Sequence, residues 1–220
     1  MKKLALSLLL IFTATVVTNA DEITVFNFNS STLAPSSGSG VLTTSSTNST
    51  FFSGTTINTR GGAPAGQALA IIGDTGNSNN GSNLTLNAST VGFSNIILSF
   101  ATQRTGTGFN SNQFQYSLDG INFVNFGSVF TPATSFALVS FDLSTITGLN
   151  NNASAAFRII FNGATSASGN NRIDNLVLDG TVINVTPPTQ AVPEPATMLL
   201  LGTGLSGIAA ARRRRKFAQS

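Results

Sequence analysis

Short runs of β-branched and aromatic residues, separated by clusters of glycine, asparagine and serine, constrain the fold of this chain more than any other feature. No stretch between residues 21 and 185 has the apolar repeat of a helix. Runs of this length and spacing are typical of an all-β sandwich. We therefore predict ten strands, at residues 22–28, 50–59, 67–72, 82–87, 95–102, 112–118, 122–128, 137–143, 155–161 and 173–183.

One segment carries a turn signal. In YSLDGINF, Asp119 and Gly120 predict a two-residue hairpin turn between alternating runs, with Phe114, Tyr116 and Leu118 on one face. The segment at residues 30–50 is instead rich in serine, threonine and glycine, which predicts a long surface loop or a flexible connection.

Alternation is also clear in AAFRIIF. Phe157, Ile159 and Phe161 point one way and Arg158 the other, which predicts that the three apolar side chains face the core. The chain has 17 phenylalanines, one tyrosine and no tryptophan. We interpret these aromatic residues as members of the hydrophobic core, with a ligand-binding platform as the alternative.

Composition excludes several classes of function. Cysteine and histidine are absent, which excludes disulfides, thiolate metal sites and cysteine or histidine catalysis. The net charge of +3 comes from the two ends, because residues 21–191 contain four arginines, no lysine and seven acids, a net charge of −3. A mildly acidic body without a basic patch predicts no nucleic-acid partner.

Both ends have the composition of targeting segments. Residues 1–20 have a positive start, an apolar run and small residues before Asp21, which predicts a secretory signal peptide; a short membrane anchor is the alternative. Near the other end, residues 196–211 carry no charge and would reach about 24 Å as a helix, slightly less than the ~30 Å hydrocarbon core. We predict a transmembrane helix there, with a cytoplasmic anchor of five cations, Arg212, Arg213, Arg214, Arg215 and Lys216.

A tripeptide precedes this apolar run. Pro193, Glu194 and Pro195, followed by the apolar run and the cations, resemble the PEP-CTERM sorting signal of Gram-negative bacteria, whose tail is also catalogued under an ice-binding-protein C-terminal label. The resemblance covers residues 192–216 and implies that exosortase, a membrane-embedded cysteine protease and transpeptidase, recognises the tripeptide and releases the exported domain. The alternative is a plain C-terminal anchor behind the proline-rich linker at residues 186–191.

The domain at residues 21–185 is similar, more weakly, to the single jelly-roll domains that often precede this tail and to carbohydrate-binding modules. The similarity is carried by the Ser-Leu-Asp-Gly hairpin and the final Arg-Ile-Asp-Asn strand. It implies a structural calcium ion at Asp174, which lies inside a strand-like run. The alternative for Asp174 is an ion pair with a neighbouring arginine, or a strand-edge side chain in water.

Carboxylates are the one source of acid, base or metal chemistry in the body. A glycosidase needs two of them at a fixed separation in a cleft. Turns explain three of the seven, Asp74 in its Gly-Asp-Thr-Gly loop, Asp119 in its hairpin and Asp179 before a glycine. The full set is spread along the sequence, at Asp21, Glu22, Asp74, Asp119, Asp142, Asp174 and Asp179.

These observations predict an exported protein with a single jelly-roll-like β-sandwich. It would be sorted and processed by exosortase, associate with the membrane transiently through its C-terminal helix, and reach the cell surface or extracellular matrix. We expect a non-enzymatic structural or polysaccharide-associating role, with exopolysaccharide as the candidate partner. The alternative is a secreted carbohydrate-active enzyme.

Overall fold

The structure is a computed structural model that describes residues 20–183. These residues form two antiparallel sheets, called here sheet A, with seven strands, and sheet B, with five. The strands are β1 (Asp21–Phe26), β2 (Ser37–Gly38), β3 (Val41–Thr44), β4 (Ser49–Ser53), β5 (Gln67–Ile72), β6 (Asn83–Asn87), β7 (Phe93–Arg104), β8 (Ser111–Ser117), β9 (Phe123–Asn125), β10 (Ala137–Asp142), β11 (Ala156–Asn162) and β12 (Asn170–Val182).

Sheet A is built around β12, its longest strand. The main order is β10-β7-β12-β1-β2, and β5, which carries β4 on its outer edge, also pairs with β12. A bulge interrupts β12 between Asp174 and Val177, where Asn175 adopts a left-handed backbone with φ of 48°. An extra residue of this kind re-aims the side chains beside it, which matters for the outer surface of this sheet.

Sheet B has the order β3-β6-β11-β8-β9. Its central strand, β11, pairs with β6 on one edge and with β8 on the other. Phe157, Ile159 and Phe161 of β11 are buried, while Arg158 is half-buried on the opposite side of the strand. The predicted orientation of these four side chains is therefore confirmed.

The core lies between the two sheets and is rich in phenylalanine. Phe114 of β8 and Phe141 of β10 stack across the sandwich with ring centroids 4.0 Å apart, and Phe109 meets Phe161 at 5.7 Å. Each fully buried phenylalanine contributes about 1.5–3 kcal/mol by leaving water. Core packing thus accounts for these rings.

The all-β sandwich predicted from the sequence is confirmed, but the strand count is not. Twelve strands form, because the segment expected to be a loop or flexible connection contributes β2 and β3. β3 is an edge strand in which Leu42 is buried, so one apolar side chain at the right register is enough to pair it with β6. The strand expected at residues 50–59 ends at Ser53, and the chain then leaves the sheet.

The predicted hairpin forms with a longer turn. Ser117 pairs with Phe123, so five residues separate the strands rather than two. Asp119 explains the difference, because its Oδ1 accepts bonds from the backbone N–H groups of Ile121 and Asn122, which closes a wider loop. Leu118 is exposed and does not share the buried face of Phe114.

Several predictions lie outside the described residues. They are the signal peptide at residues 1–20 apart from its last residue, the linker at 186–191, the sorting motif and the transmembrane helix at 196–211. Within residues 20–183, no helix combines the length and hydrophobicity needed to cross a membrane.

Candidate functional site

The outer surface of sheet B carries a line of polar side chains that crosses all five strands. Strand register places one residue of each strand side by side, because Arg158 is opposite Thr85 on β6 and Gln115 on β8. The line continues to the two edges of the sheet through β3 and β9. We call this set the polar row, and its members are Thr43, Thr85, Arg158, Gln115 and Asn125.

Side-chain hydrogen bonds hold the polar row in place. Arg158 Nε donates to Thr85 Oγ1 at 3.1 Å, and Gln115 Nε2 donates to Asn125 Oδ1 at 2.8 Å. The guanidinium carbon of Arg158 lies 3.4 Å from the centre of the Phe123 ring. Stacking on an aromatic face fixes the plane of a guanidinium and leaves its edge for hydrogen bonding.

A groove adjoins the polar row where β6, the β8–β9 turn and the segment before β11 meet. Its polar lining includes Asn87, Ser89, Asp119 and Ser154. Asp119 is ionised over the whole physiological range, because hydrogen bonds from Asn122, Ile121 and Ser117 hold its pKa far below the usual value. The turn function assigned to Asp119 from the sequence is thus confirmed, and its oxygens are engaged within the turn.

The middle of the outer surface of sheet A is covered instead. Residues 54–66, which join β4 to β5 and which we call the strap, cross this surface above β12 and β7. Asn175 Nδ2 donates to the carbonyls of Thr55 and Ile57, at 2.8 and 2.9 Å, and Asn58 Nδ2 donates to Asn175 O at 2.8 Å. Gly54 permits the close approach, since a Cβ there would clash with Asp174 Oδ2.

Asp174 is fully buried under the strap. Its Oδ2 accepts the backbone N–H of Thr55 at 2.7 Å and its Oδ1 accepts that of Asn175 at 2.8 Å. Burial raises the pKa of this carboxyl to about 6, although both hydrogen bonds lower it. Asp174 is neither in water nor in an ion pair, because the ion pair among residues 20–183 joins Arg60 to Asp179.

The calcium ion suggested at Asp174 stays a prediction. Calcium requires six to eight oxygen ligands, usually with several carboxylates. Among the described residues, no group of three or more acidic, histidine or cysteine side chains lies together. Both oxygens of Asp174 instead face N–H donors, which accounts for the carboxylate without an ion.

Asp179 has a different role from the turn predicted for it. It lies inside β12, nearly buried, and its Oδ2 accepts from Arg60 Nη2 of the strap at 2.7 Å. Burial raises the pKa of Asp179, Arg60 opposes that rise, and the charge of Glu22 adds to it. Glu22 is the cross-strand partner of Asp179 and lines a surface groove together with Arg60.

Sequence reasoning missed most of this site. It placed Arg158 on the surface of its strand but did not identify Thr43, Thr85, Gln115 or Asn125. The available signal was local, since Gln115 alternates with Phe114 and Tyr116 as Arg158 does with its neighbours. The order of the strands was not available, and it is this order that aligns the five residues.

Comparison with known proteins identifies the tail. Residues 191–215 match the PEP-CTERM protein-sorting motif. The matched segment contains Pro193, Glu194 and Pro195 and four of the five cations, which confirms the resemblance drawn from the sequence. No curated protein matches the chain.

The fold is similar to those of solved carbohydrate-binding and adhesin domains. The CBM22-1 xylan-binding domain of Paenibacillus barcinonensis Xyn10C is 10% identical over 76% of this chain and 99% of its own, with a TM-score of 0.48. Domain 4 of AbnA, a Geobacillus stearothermophilus arabinanase, solved with arabinotriose, is 12% identical over 74% and 94%, with a TM-score of 0.47. The K3 adhesin domain of Lys-gingipain from Porphyromonas gingivalis is 13% identical over 73% and 99%, with a TM-score of 0.45.

Proposed function

We propose that this chain is an exported protein of a Gram-negative bacterium that associates with polysaccharide through the outer face of sheet B and hydrolyses none. The polar row carries this proposal. It supplies hydroxyl, amide and guanidinium groups in one line across five strands, beside the Phe123 ring. Such groups exchange hydrogen bonds with the hydroxyls of a sugar chain, and an extended polymer can follow the line.

The association should be weak at each domain. The polar row offers one half-buried aromatic ring that already carries a guanidinium, so little ring surface remains for stacking on sugars. Each neutral hydrogen bond contributes about 0.5–1.5 kcal/mol net, since it first displaces water. We expect a dissociation constant of about 1 mM for one domain, and retention on a polymer through many copies.

The experiment for the domain measures binding and hydrolysis together. The protein is incubated with the host's own exopolysaccharide and with a panel of common glycans, and co-sedimentation and released reducing ends are recorded. We expect co-sedimentation that falls when Gln115, Asn125 and Arg158 are replaced, and no reducing ends. Absence of co-sedimentation with every polymer would leave a structural role and contradict the proposal.

The tail supports a sorting pathway. The PEP-CTERM match supports processing by exosortase. We propose in addition that the protein associates with the membrane transiently through residues 196–211 and is then delivered to the cell surface or extracellular matrix. Two prolines cannot continue a helix, so Glu194 would stand in extended backbone beside the apolar segment, where a protease needs access. The cations from Arg212 to Lys216 would stay on the cytoplasmic side.

Replacing Pro193, Glu194 and Pro195 by alanine tests this pathway. We expect a longer form that stays with the membrane fraction, because the protease loses its recognition segment. Intact mass of the released protein gives the cleavage positions for the wild type. Release of the variant at the wild-type mass would contradict the sorting proposal.

An enzyme is the second candidate, and one observation favours it. Glu22 and Asp179 are opposite each other on β1 and β12 beside a groove, so two carboxylates lie near each other as a glycosidase requires. Arg60 holds one oxygen of Asp179, which opposes a role as proton donor. Reducing ends that form with the wild type and vanish in both Glu22→Gln and Asp179→Asn would establish this second candidate.

A further inference from the structure

Arg158 is the charged member of the polar row and has no anionic partner within residues 20–183. The ion pair in this part of the chain joins Arg60 to Asp179. The polar row itself contains no acid, and the nearest carboxylate along the hairpin, Asp119, is occupied by its own turn. The charge of Arg158 is therefore uncompensated in the middle of the sheet.

Two of the other three arginines of the body are engaged differently, and the third partly resembles Arg158. Arg60 bonds to Asp179, and Arg104 donates to the carbonyls of Pro132, Thr105 and Gly106. Arg172 lies on the outer surface of sheet A, where its guanidinium carbon is 4.9 Å from the Phe52 ring and its Nη1 reaches Ser53 O. Arg172 thus repeats the arginine-on-phenylalanine arrangement of Arg158 on the opposite side of the sandwich.

The orientation of the Arg158 guanidinium is fixed on two sides. Thr85 Oγ1 accepts from Nε, and the Phe123 ring lies against the guanidinium plane. The two terminal amines make no hydrogen bond with residues 20–183. A planar pair of amines held in this way matches the two oxygens of a carboxylate, which it binds in a bidentate manner.

We propose that the polysaccharide bound by the polar row is acidic, with Arg158 as the residue that binds its carboxylate or other anionic group. This inference rests on the proposed function of the same face and adds the class of polymer. Neighbouring Gln115 and the exposed Asn125 would bind the hydroxyls beside the anionic group, while the buried Thr85 holds the Arg158 side chain in place. Because the polar row contains one cation, we expect binding to depend on whether the polymer carries anionic groups more than on the spacing between those groups.

Matched polymers test the proposal. The probes are polygalacturonate and alginate, each compared with its ester, in which the carboxylates are neutralised on the same backbone. The full chain in a non-ionic detergent is run by affinity electrophoresis against each polymer at low and high salt. We expect roughly tenfold stronger retention by the charged polymers, as one charge-assisted hydrogen-bond pair predicts, and a loss of that preference at high salt.

Three variants separate the effect of Arg158 itself from the effect of the protein's net charge. Arg158→Gln should lower retention by the charged polymers roughly tenfold and leave the esters unchanged, while Arg158→Lys should retain part of the preference. Arg172→Gln is the control, because it removes the same charge from the other arginine-on-phenylalanine pair and should change nothing. Thermal melting of each variant verifies that it is folded.

The outcomes distinguish the two proposals. Equal retention by a charged polymer and its ester, unchanged in Arg158→Gln, would overturn the acidic specificity and leave polysaccharide association standing. Equal losses in Arg158→Gln and Arg172→Gln would also overturn it, since net charge would then explain the result. Failure of both charged polymers to retard the wild type overturns the specificity, and failure of the whole glycan panel overturns the proposed function.

Discussion

Both outer surfaces of the sandwich carry polar side chains, but a segment of the chain covers those on sheet A and leaves those on sheet B uncovered. On sheet A, Asn175, Asp174 and Asp179 are buried, because the strap lies on them and bonds to each. On sheet B, the polar row has no covering segment among the described residues, and all of its members except the buried Thr85 are exposed or half-buried. We call the first the covered face and the second the open face.

This difference in covering separates the polar groups that stabilise the fold from those that are available for binding. A polar group buried under the strap must keep its partner, since an unsatisfied buried donor or acceptor costs about 1–3 kcal/mol. A polar group on the open face can exchange its partner for water or a ligand at little cost. We therefore expect substitutions of polar residues to lower the free energy of unfolding more on the covered face than on the open face.

Asn175→Ala should have the largest effect on stability. It leaves the carbonyls of Thr55 and Ile57 without their donor, and alanine tolerates the left-handed backbone at φ of 48° less well than asparagine does. We expect a loss of about 2–4 kcal/mol in the free energy of unfolding, measured by urea denaturation. Asn175→Gly, which tolerates the backbone but lacks the amide, should recover about 1 kcal/mol of it.

Asn125→Ala on the open face is the matched control. It removes the acceptor of Gln115 Nε2 at an exposed position, so we expect a change below about 0.5 kcal/mol. Similar losses at Asn125 and Asn175 would show that the two faces do not differ as described.

The pH dependence of the free energy of unfolding should reveal the contribution of Asp174. The folded pKa of about 6 lies above the ordinary value of 3.8, so this group stabilises the fold most below pH 4 and loses that contribution as the pH rises through 6. We expect the stability of the wild type relative to Asp174→Asn to fall by about 1–3 kcal/mol between pH 4 and 7. A difference that stays constant with pH would contradict the burial of an ionisable group there.

The same variant decides the calcium prediction. If Asp174 binds the ion, chelator lowers the melting temperature of the wild type and leaves that of Asp174→Asn unchanged. The observed N–H partners of Asp174 predict that chelator has no effect on either protein. A chelator-dependent shift in the wild type would establish the ion.

Arg60→Met should have an intermediate effect. It leaves the nearly buried Asp179 without its cation, while the methionine retains the apolar stem against the sheet. Because Arg60 is partly exposed, we expect a loss of about 1–2 kcal/mol at pH 7 that shrinks as the pH falls and Asp179 gains a proton. A loss that grows on acidification would contradict this assignment.

Arg158→Gln should change stability less than any of the substitutions on the covered face. The variant loses one hydrogen bond and one stacked contact on a half-buried side chain, for which we expect less than about 1 kcal/mol. Thermal melting beside Arg172→Gln measures this directly. A large loss at Arg158 would show that the open face is structural.

Much of the fold was predictable from the sequence, because it follows from local patterns. Alternation in β11 gave the buried face of Phe157, Ile159 and Phe161 correctly. The turn was correctly placed at Asp119, but its length was wrong. The length depends on how many backbone N–H groups donate to the Asp119 carboxylate, and the Asp-Gly dipeptide alone does not indicate that number. Strands β2 and β3 were missed because edge strands with few apolar residues depend on their partners more than on their own sequence.

The candidate site was much less predictable. Asp174 was recognised as unusual because it lies inside a strand, yet its partner is Thr55, distant in sequence and within a segment predicted to be a strand. The polar row depends on a strand order in which no two neighbours are consecutive except β8 and β9. The sorting motif of the tail was predicted correctly, since its pattern is contiguous in the sequence.

Hydroxyl-radical footprinting tests the central claim, that the open face binds polymer and the covered face does not. Phe123 under Arg158 and Phe52 beside Arg172 are matched reporters on opposite sides of the sandwich. Oxidation of each ring is measured by mass spectrometry with and without a polysaccharide that co-sediments with the protein. We expect protection of Phe123 and unchanged oxidation of Phe52, whereas protection of Phe52 with Phe123 unchanged would show that the polymer binds the covered face.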